Sequence, residues 1–296
     1  MSIADVINII MSGIFHAAIL FLVAAGLQVV FGVQKVFNLA CGAFYALGAY
    51  MGLTLVNILI DGGFPETLFI LILIAAGLLM AFVGPIIERG MLKFIYKRDV
   101  HFQLLLTFAL VLIIEDVIRM TWGSAPQSTK GLYLLYGHID LLGAIIPVYN
   151  LIVIITSLAV AALIGYMLYR TKFGKIIRAA AESSEMSEAL GINMKRVNLK
   201  VFTLGTALGT LGGALVIPAI SAMPDMGVEL IVLAFAVVVI GGLGSMKGAF
   251  VGALVVGILK SIAISFYPES EIFVIYLIVI GVLLYKPQGL FGRSTV

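Results

Sequence analysis

The sequence predicts an all-α, polytopic membrane helix bundle, and three observations predict it. The 296 residues are 62% hydrophobic and only 11% charged, against about 25% charged in soluble domains, and the mean hydropathy is +1.19. Apolar runs of about 20 residues, the length that crosses the hydrocarbon core of a bilayer, recur along the chain. Charge is segregated, with Lys and Arg gathered in alternate connections and acids in the others.

Taken in order, the candidate spans are 7–33, 36–60, 67–87, 102–122, 145–169, 200–222, 229–246, 248–266 and 272–290. The pairs 7–33/36–60 and 229–246/248–266 have almost no loop between them. Each is two short spans or one span with a re-entrant or broken helix. The expected count is eight to ten, with nine the best reading. With an outer N-terminus and alternating spans, the inner segments hold Lys35; Arg89, Lys93, Lys97 and Arg98; Arg170, Lys172, Lys175, Arg178, Lys195, Arg196 and Lys200; Lys247; and Lys286 and Arg293. These are 15 of the 18 basic residues. Asp5, Asp61, Glu66, Asp140, Asp225, Glu229, Glu269 and Glu271 fall outside or at the outer edge. The expected topology is therefore N-out/C-in.

Other classes are excluded by what the chain lacks. The N-terminal "MSIADVINII" has no basic n-region and leads into a run long enough to span, so no cleavable signal peptide is expected. The single cysteine, Cys41, rules out a disulfide framework within the chain. A net charge of +3 is small and points to no nucleic-acid partner. Residues 1–296 read as one transmembrane domain in a lipid bilayer.

Segment 170–200 breaks the apolar pattern with seven basic and three acidic residues and is the longest inner connection. It lacks Pro and is rich in helix formers from Ala179 to Leu190, with Gly191 as a natural left-handed stop. Met186, Ala189 and Leu190 recur at helical spacing, opposite Glu182, Glu185 and Glu188. A short amphipathic cytoplasmic helix is expected, either a solvated surface helix or a knob for a groove on a soluble partner.

Three stretches carry a resemblance. "RAAAESSEMSEALGINMKRV" at 178–197 resembles the coupling loop of ABC importer permeases, "FNLACGAFYALGAY" at 37–50 a signature after the first span, and "GGLGSMKGAFVGAL" at 241–254 a glycine turn. Together they are similar to the shorter type of branched-chain amino-acid ABC transporter permease. The resemblance implies that 170–200 transmits ATP-driven motion through Arg178, Glu182, Met186, Ala189, Leu190 and Gly191. It implies cytoplasmic ATP-binding subunits, a second homologous permease subunit and an extracytoplasmic solute-binding protein as partners, in a bacterial-type cytoplasmic (inner) membrane. Its solutes are branched-chain and other hydrophobic amino acids. One departure is Cys41, where members often carry His. Urea, short amides and small aromatic acids, which some relatives handle, therefore stay open.

Several residues at membrane depth are singled out on their own chemistry. Asn38, Cys41, Gly42 and Tyr45 lie at an expected helix break and are the candidate translocation pathway, with Asn38 either lining it or capping freed backbone. Glu115 and Arg119, four apart, can pair on one helix face, and Asp116 lies beside them. Gly205, Gly209 and Gly213 form two overlapping GxxxG steps suited to close helix packing. "GGLGSMKG" is no Walker motif, since Gly248 follows Lys247. With no ATP site, nucleophile–base set or metal cluster, the chain is expected to be no enzyme and to need no cofactor. Scarce charge within the spans favours a neutral or zwitterionic solute. An ion-coupled transporter needs acids near the midplane, and neither it nor a channel or structural subunit predicts a coupling-type loop.

Overall fold

The computed structural model describes residues 2–96, 98–129, 131–286 and 288–292. Lys97 and Arg293, assigned to the inner side above, lie outside the described residues, as does part of the 272–290 run.

The chain is mostly helical. In order it forms α1 (Ile3–Gln34), α2 (Ala40–Asp61), α3 (Phe69–Met80), α4 (Val83–Gly90), α5 (Val100–Trp122), α6 (Val148–Arg170), α7 (Lys172–Glu182), α8 (Ser184–Ala189), α9 (Met194–Val216), α10 (Met226–Gly241), α11 (Met246–Phe266) and α12 (Glu271–Tyr285). Six stretches among the described residues are long and apolar enough to cross a membrane: Ile3–Gln34, Ala40–Asp61, Glu66–Phe94, Val148–Arg170, Met194–Val216 and Met246–Phe266. Met226–Gly241 and Phe273–Tyr285 are shorter apolar helices. Helix α5, 23 residues long, stands outside that set and carries Glu115, Asp116 and Arg119 in its second half.

Three local departures from the expected pattern have physical causes. The run 67–87 is not one helix: α3 stops at Met80 and α4 starts at Val83. Pro85 has no N–H and its ring would meet the carbonyl four residues back, so it is accommodated in the first turn of a new helix. The span expected from 145 starts at Val148 instead. Residues 144–147 form β2 (Ala144–Pro147), antiparallel to β1 (His138–Leu141), so the bundle is not purely helical. Pro147 takes the N-cap position of α6 in an extended conformation. Finally, the helix expected over 179–190 divides at Ser183, which is extended and accepts a hydrogen bond from the Met186 N–H at 3.1 Å. Serine is a strong N-cap, and there it outcompetes helix continuation.

Helices α1 and α9 form the centre, with α2, α3, α10 and α11 packed on them. Glycine makes the approach close. A Cβ on Gly26 of α1 would lie 2.7 Å from the Gly205 carbonyl of α9, and one on Gly77 of α3 would lie 2.7 Å from Leu211 Cα. Membrane helices gain little from hydrophobic exclusion and associate through such tight packing. Buried hydroxyls and amides stitch the same helices: Thr210 Oγ1 donates to the Gly77 carbonyl at 2.7 Å, Tyr149 to Leu215 at 2.6 Å, and Ser157 to Ala18 at 2.9 Å.

Candidate functional site

Two regions carry chemistry that the packing does not need. The first lies where two helices begin inside the bundle. Helix α1 ends at Gln34, Lys35 turns left-handed at φ 55°, and α2 restarts at Ala40. Asn38 caps this restart. Its Oδ1 accepts from the Ala40 N–H at 3.2 Å, and its Nδ2 donates to Cys41 Sγ at 3.4 Å. Cys41 and Tyr45 are buried in the first turns of α2. Gly42 meets the start of α10, where a Cβ would collide with the Gly227 carbonyl and approach Ile231 Cβ to 2.9 Å.

Beside this contact is a cavity of about 370 Å³, lined by Glu115 of α5, by Asp225, Val228, Glu229, Val232 and Leu233 at the start of α10, and by Ile275 and Tyr276 of α12. A smaller void shares Glu115 and Val228 with it and reaches Ala43, Ala46 and Gly227. Three carboxylates and a phenol therefore stand among aliphatic walls. Two of the acids have cationic neighbours: Glu115 is ion-paired with Arg119 one turn on, and Glu229 lies 4.0 Å from Lys260 Nζ. Of the four residues the sequence nominates, Asn38 caps backbone, and none is among the residues lining either cavity. Asp225 and Glu229 escape sequence reasoning because acids at the end of an apolar run read as boundary markers.

The second region is the 170–193 connection. Helix α7 is capped by Thr171, whose side chain accepts from the Gly174 N–H at 3.1 Å. It turns Ile177 and Ala180 inward, both buried. Arg178 lies over the Tyr169 ring, 5.5 Å from its centroid. Glu182, Met186, Ala189, Leu190 and Gly191 are all exposed. Met186 is 63% and Leu190 75% exposed, the two large apolar side chains of a segment otherwise polar outside. Gly191 closes α8 at φ +83°, and Asn193 caps α9 by accepting from the Arg196 N–H at 3.1 Å.

The glycine stretch at 241–248 is a joint. Gly242 and Gly244 have positive φ, of 97° and 79°. Gln28 of α1 holds both, donating to the Gly242 carbonyl at 2.9 Å and accepting from the Gly244 N–H at 2.6 Å. The N–H groups of Leu290 and Phe291 bond the carbonyls of Ile240 and Gly241 at 2.8 and 3.0 Å. Of the three GxxxG glycines in α9, Gly205 packs on Gly26 and Val30 of α1, while Gly209 and Gly213 pack on Cys41 and Tyr45 of α2.

Comparison with known proteins shows a family. A model of the family described as "Branched-chain amino acid transport system / permease component" matches residues 9–284. The chain is 29% identical to the high-affinity branched-chain amino acid transport system permease protein LivH of Escherichia coli, covering 93% of this chain and 92% of that one. It is 28% identical to a probable branched-chain amino acid transport permease protein LivH of Methanocaldococcus jannaschii, covering 96% and 92%. It is 24% identical to the permease protein BraD of Pseudomonas aeruginosa, covering 93% and 92%.

Proposed function

The chain belongs to the branched-chain amino acid transport system permease family, and from this we propose that it is the membrane-spanning permease subunit of an ABC importer for branched-chain or similar hydrophobic amino acids. The observation that carries the reading is the 370 Å³ cavity at the start of α10. Its aliphatic walls suit an apolar side chain. Its carboxylates, two of them beside cations, suit the charged end of a zwitterion.

In this reading the chain is one permease domain crossing the inner membrane nine times, N-out/C-in. The nine crossings are the six long stretches, α5 and the two shorter apolar helices. The chain hydrolyses nothing itself. ATP-binding subunits dock on the 170–200 connection, where Met186, Ala189 and Leu190 form an apolar knob rimmed by Arg178 and Glu182, a helix-in-groove contact. A second homologous permease completes the pathway, and a solute-binding protein delivers substrate from outside. Asn38, Cys41, Gly42 and Tyr45 set the wall of the pathway by fixing where α2 meets α10, and Gly205, Gly209 and Gly213 set the helix spacing behind it.

The test is whether a soluble ATPase subunit co-purifies with the chain and whether scrambling 182–191 abolishes the association. Retention of the subunit by the scrambled, membrane-inserted chain overturns the coupling assignment. Uptake of labelled leucine that persists without ATP overturns the importer assignment.

A further inference from the structure

The hairpin at 138–147 is unusual for the residue at its tip. Leu141 pairs with Ala144, leaving a two-residue loop of Leu142 and Gly143 with φ of 55° and 86°. Two positive φ values define the hairpin turn that favours Asn-Gly or Asp-Gly, because a branched apolar side chain fits the left-handed region poorly. Leu142 is also 80% exposed. An Asn there would suit both the backbone and water better. A leucine that is wrong for the turn and wrong for water is right only if the tip lies in an apolar medium.

The position of the hairpin says which medium. A Cβ on Gly143 would lie 3.8 Å from Ala4 Cβ, so the tip sits against the first turn of α1. That helix has 32 residues, about 48 Å at 1.5 Å per residue, against a hydrocarbon core of about 30 Å. Its first turn therefore reaches the headgroup layer. Trp122 and Tyr267 close α5 and α11 at the same end, and such rings mark the membrane–water interface. Strand β2 runs directly into α6. Ile3 and Val6, beside Ala4 in the first turn of α1, are 72% and 42% exposed and add apolar surface at this end of the helix.

We propose that the 138–147 hairpin is an interfacial wedge, with Leu142 seated among the headgroups and upper acyl chains of the leaflet in which α1 begins. The other end of the same connection is also fixed. Gln127 exchanges backbone hydrogen bonds with Ala222, at 3.0 and 2.7 Å, three residues before the cavity residue Asp225. The wedge thereby ties the lipid surface to the segment that leads into α10. It depends on membrane insertion alone and not on the identity of the solute.

The experiment is a nitroxide label on Leu142→Cys in the full chain, with any subunits that co-purify, in vesicles of phosphatidylethanolamine and phosphatidylglycerol. The native Cys41 is buried at 1% exposure, so it does not compete for label. Relaxation by oxygen, which concentrates in lipid, is compared with relaxation by a water-soluble nickel chelate. A label seated about 5–10 Å into the headgroup/acyl boundary gives an oxygen-to-nickel ratio several-fold above that of the free label in water. A ratio equal to that of the free label places the tip in water and overturns the wedge. Low access to both reagents shows a protein partner over the tip and overturns it equally. Leu141→Cys, in β1 beside the turn, is read by the same ratios if Leu142→Cys does not fold.

Discussion

Gly227→Ala tests whether the contact between α2 and α10 sets the shape of the cavity. The added Cβ would lie 2.5 Å from the Gly42 carbonyl oxygen and 2.8 Å from its carbon, where ordinary contact begins at 3.4 Å. The obstacle is backbone, so no rotamer change relieves it. The helices must part by about 0.9 Å, the difference between 3.4 and 2.5 Å. Overpacking of this kind costs about 1–3 kcal/mol, offset by up to about 1 kcal/mol from replacing a helical glycine with alanine. The expected net loss is roughly 0–3 kcal/mol, with Val228 and Glu229 carried outward from Glu115. Thermal unfolding in detergent reads the stability, and leucine uptake by reconstituted vesicles reads the site. The controls are Gly165→Ala in α6 and Gly281→Ala in α12, where a Cβ meets nothing within 4 Å. Both should keep full stability and uptake. Gly227→Ala should lose uptake by more than its stability loss explains, and Gly42→Leu should abolish uptake in a chain that still inserts. Wild-type uptake and stability in Gly227→Ala would refute the argument that this contact shapes the pathway.

Other outcomes follow from the remaining elements. An impermeant thiol reagent should label Ser184→Cys only from the cytoplasm and Glu66→Cys only from outside; labelling from the same side sinks the N-out/C-in reading. Leu190 is 75% exposed, so docking regains about three quarters of the roughly 1.5–3 kcal/mol for burying such a side chain. Leu190→Asp should thus weaken ATPase docking about tenfold or more, and substrate-stimulated ATP hydrolysis should fall with it. Gly191→Val should do the same, because valine resists a φ of +83°; full stimulation in both variants would leave 184–191 a plain surface helix. Gln28→Leu leaves the Gly242 carbonyl with only the Ser245 N–H, at 3.2 Å, and removes the Gln28 oxygen from the part-buried Gly244 N–H, at about 1–3 kcal/mol for a group left without its partner, seen as a lowered unfolding temperature.

The sequence makes the apolar segments legible because hydropathy acts over a window of about 20 residues and needs no tertiary context. Boundaries set by single residues are harder. Pro85 splits the run 67–87 within a stretch whose hydropathy alone favours continuity, and Ser183 divides an alanine-rich helix by offering its hydroxyl to Met186. The hairpin at 138–147 hides because β1 is exposed along its whole length, and because β2 alternates in burial with apolar residues on both faces, so no polar–apolar alternation announces it. The cavity is least legible. Glu115, Asp225 and Glu229 are spread over α5 and the start of α10 and meet only through the crossing of Gly42 and Gly227. Chain position labels them as interface charges, while the fold makes them the wall of a cavity.

The glycines locate the stiff parts of the molecule. Helix α9 starts at the Asn193 cap, just after the exposed 184–191 segment, and touches α1 at Gly26 through Gly205, α3 at Gly77 through Leu211 and α2 at Tyr45 through Gly213. Helix α2 in turn touches α10 at Gly42 and Gly227, and α10 ends in the 241–248 joint held by Gln28 and by Leu290 and Phe291. At Gly26–Gly205, Gly42–Gly227 and Tyr45–Gly213 backbone meets backbone, where a change of rotamer cannot absorb a displacement. Packed interiors of this kind transmit strain and do not dissipate it. In the proposed coupling, a shift of α9 by a fraction of an ångström would pass to the start of α2 and on to Gly227. The far end of α10 is held by hydrogen bonds from Gln28, Leu290 and Phe291, so the displacement is expected where α10 begins, at Asp225 and Glu229 beside the cavity.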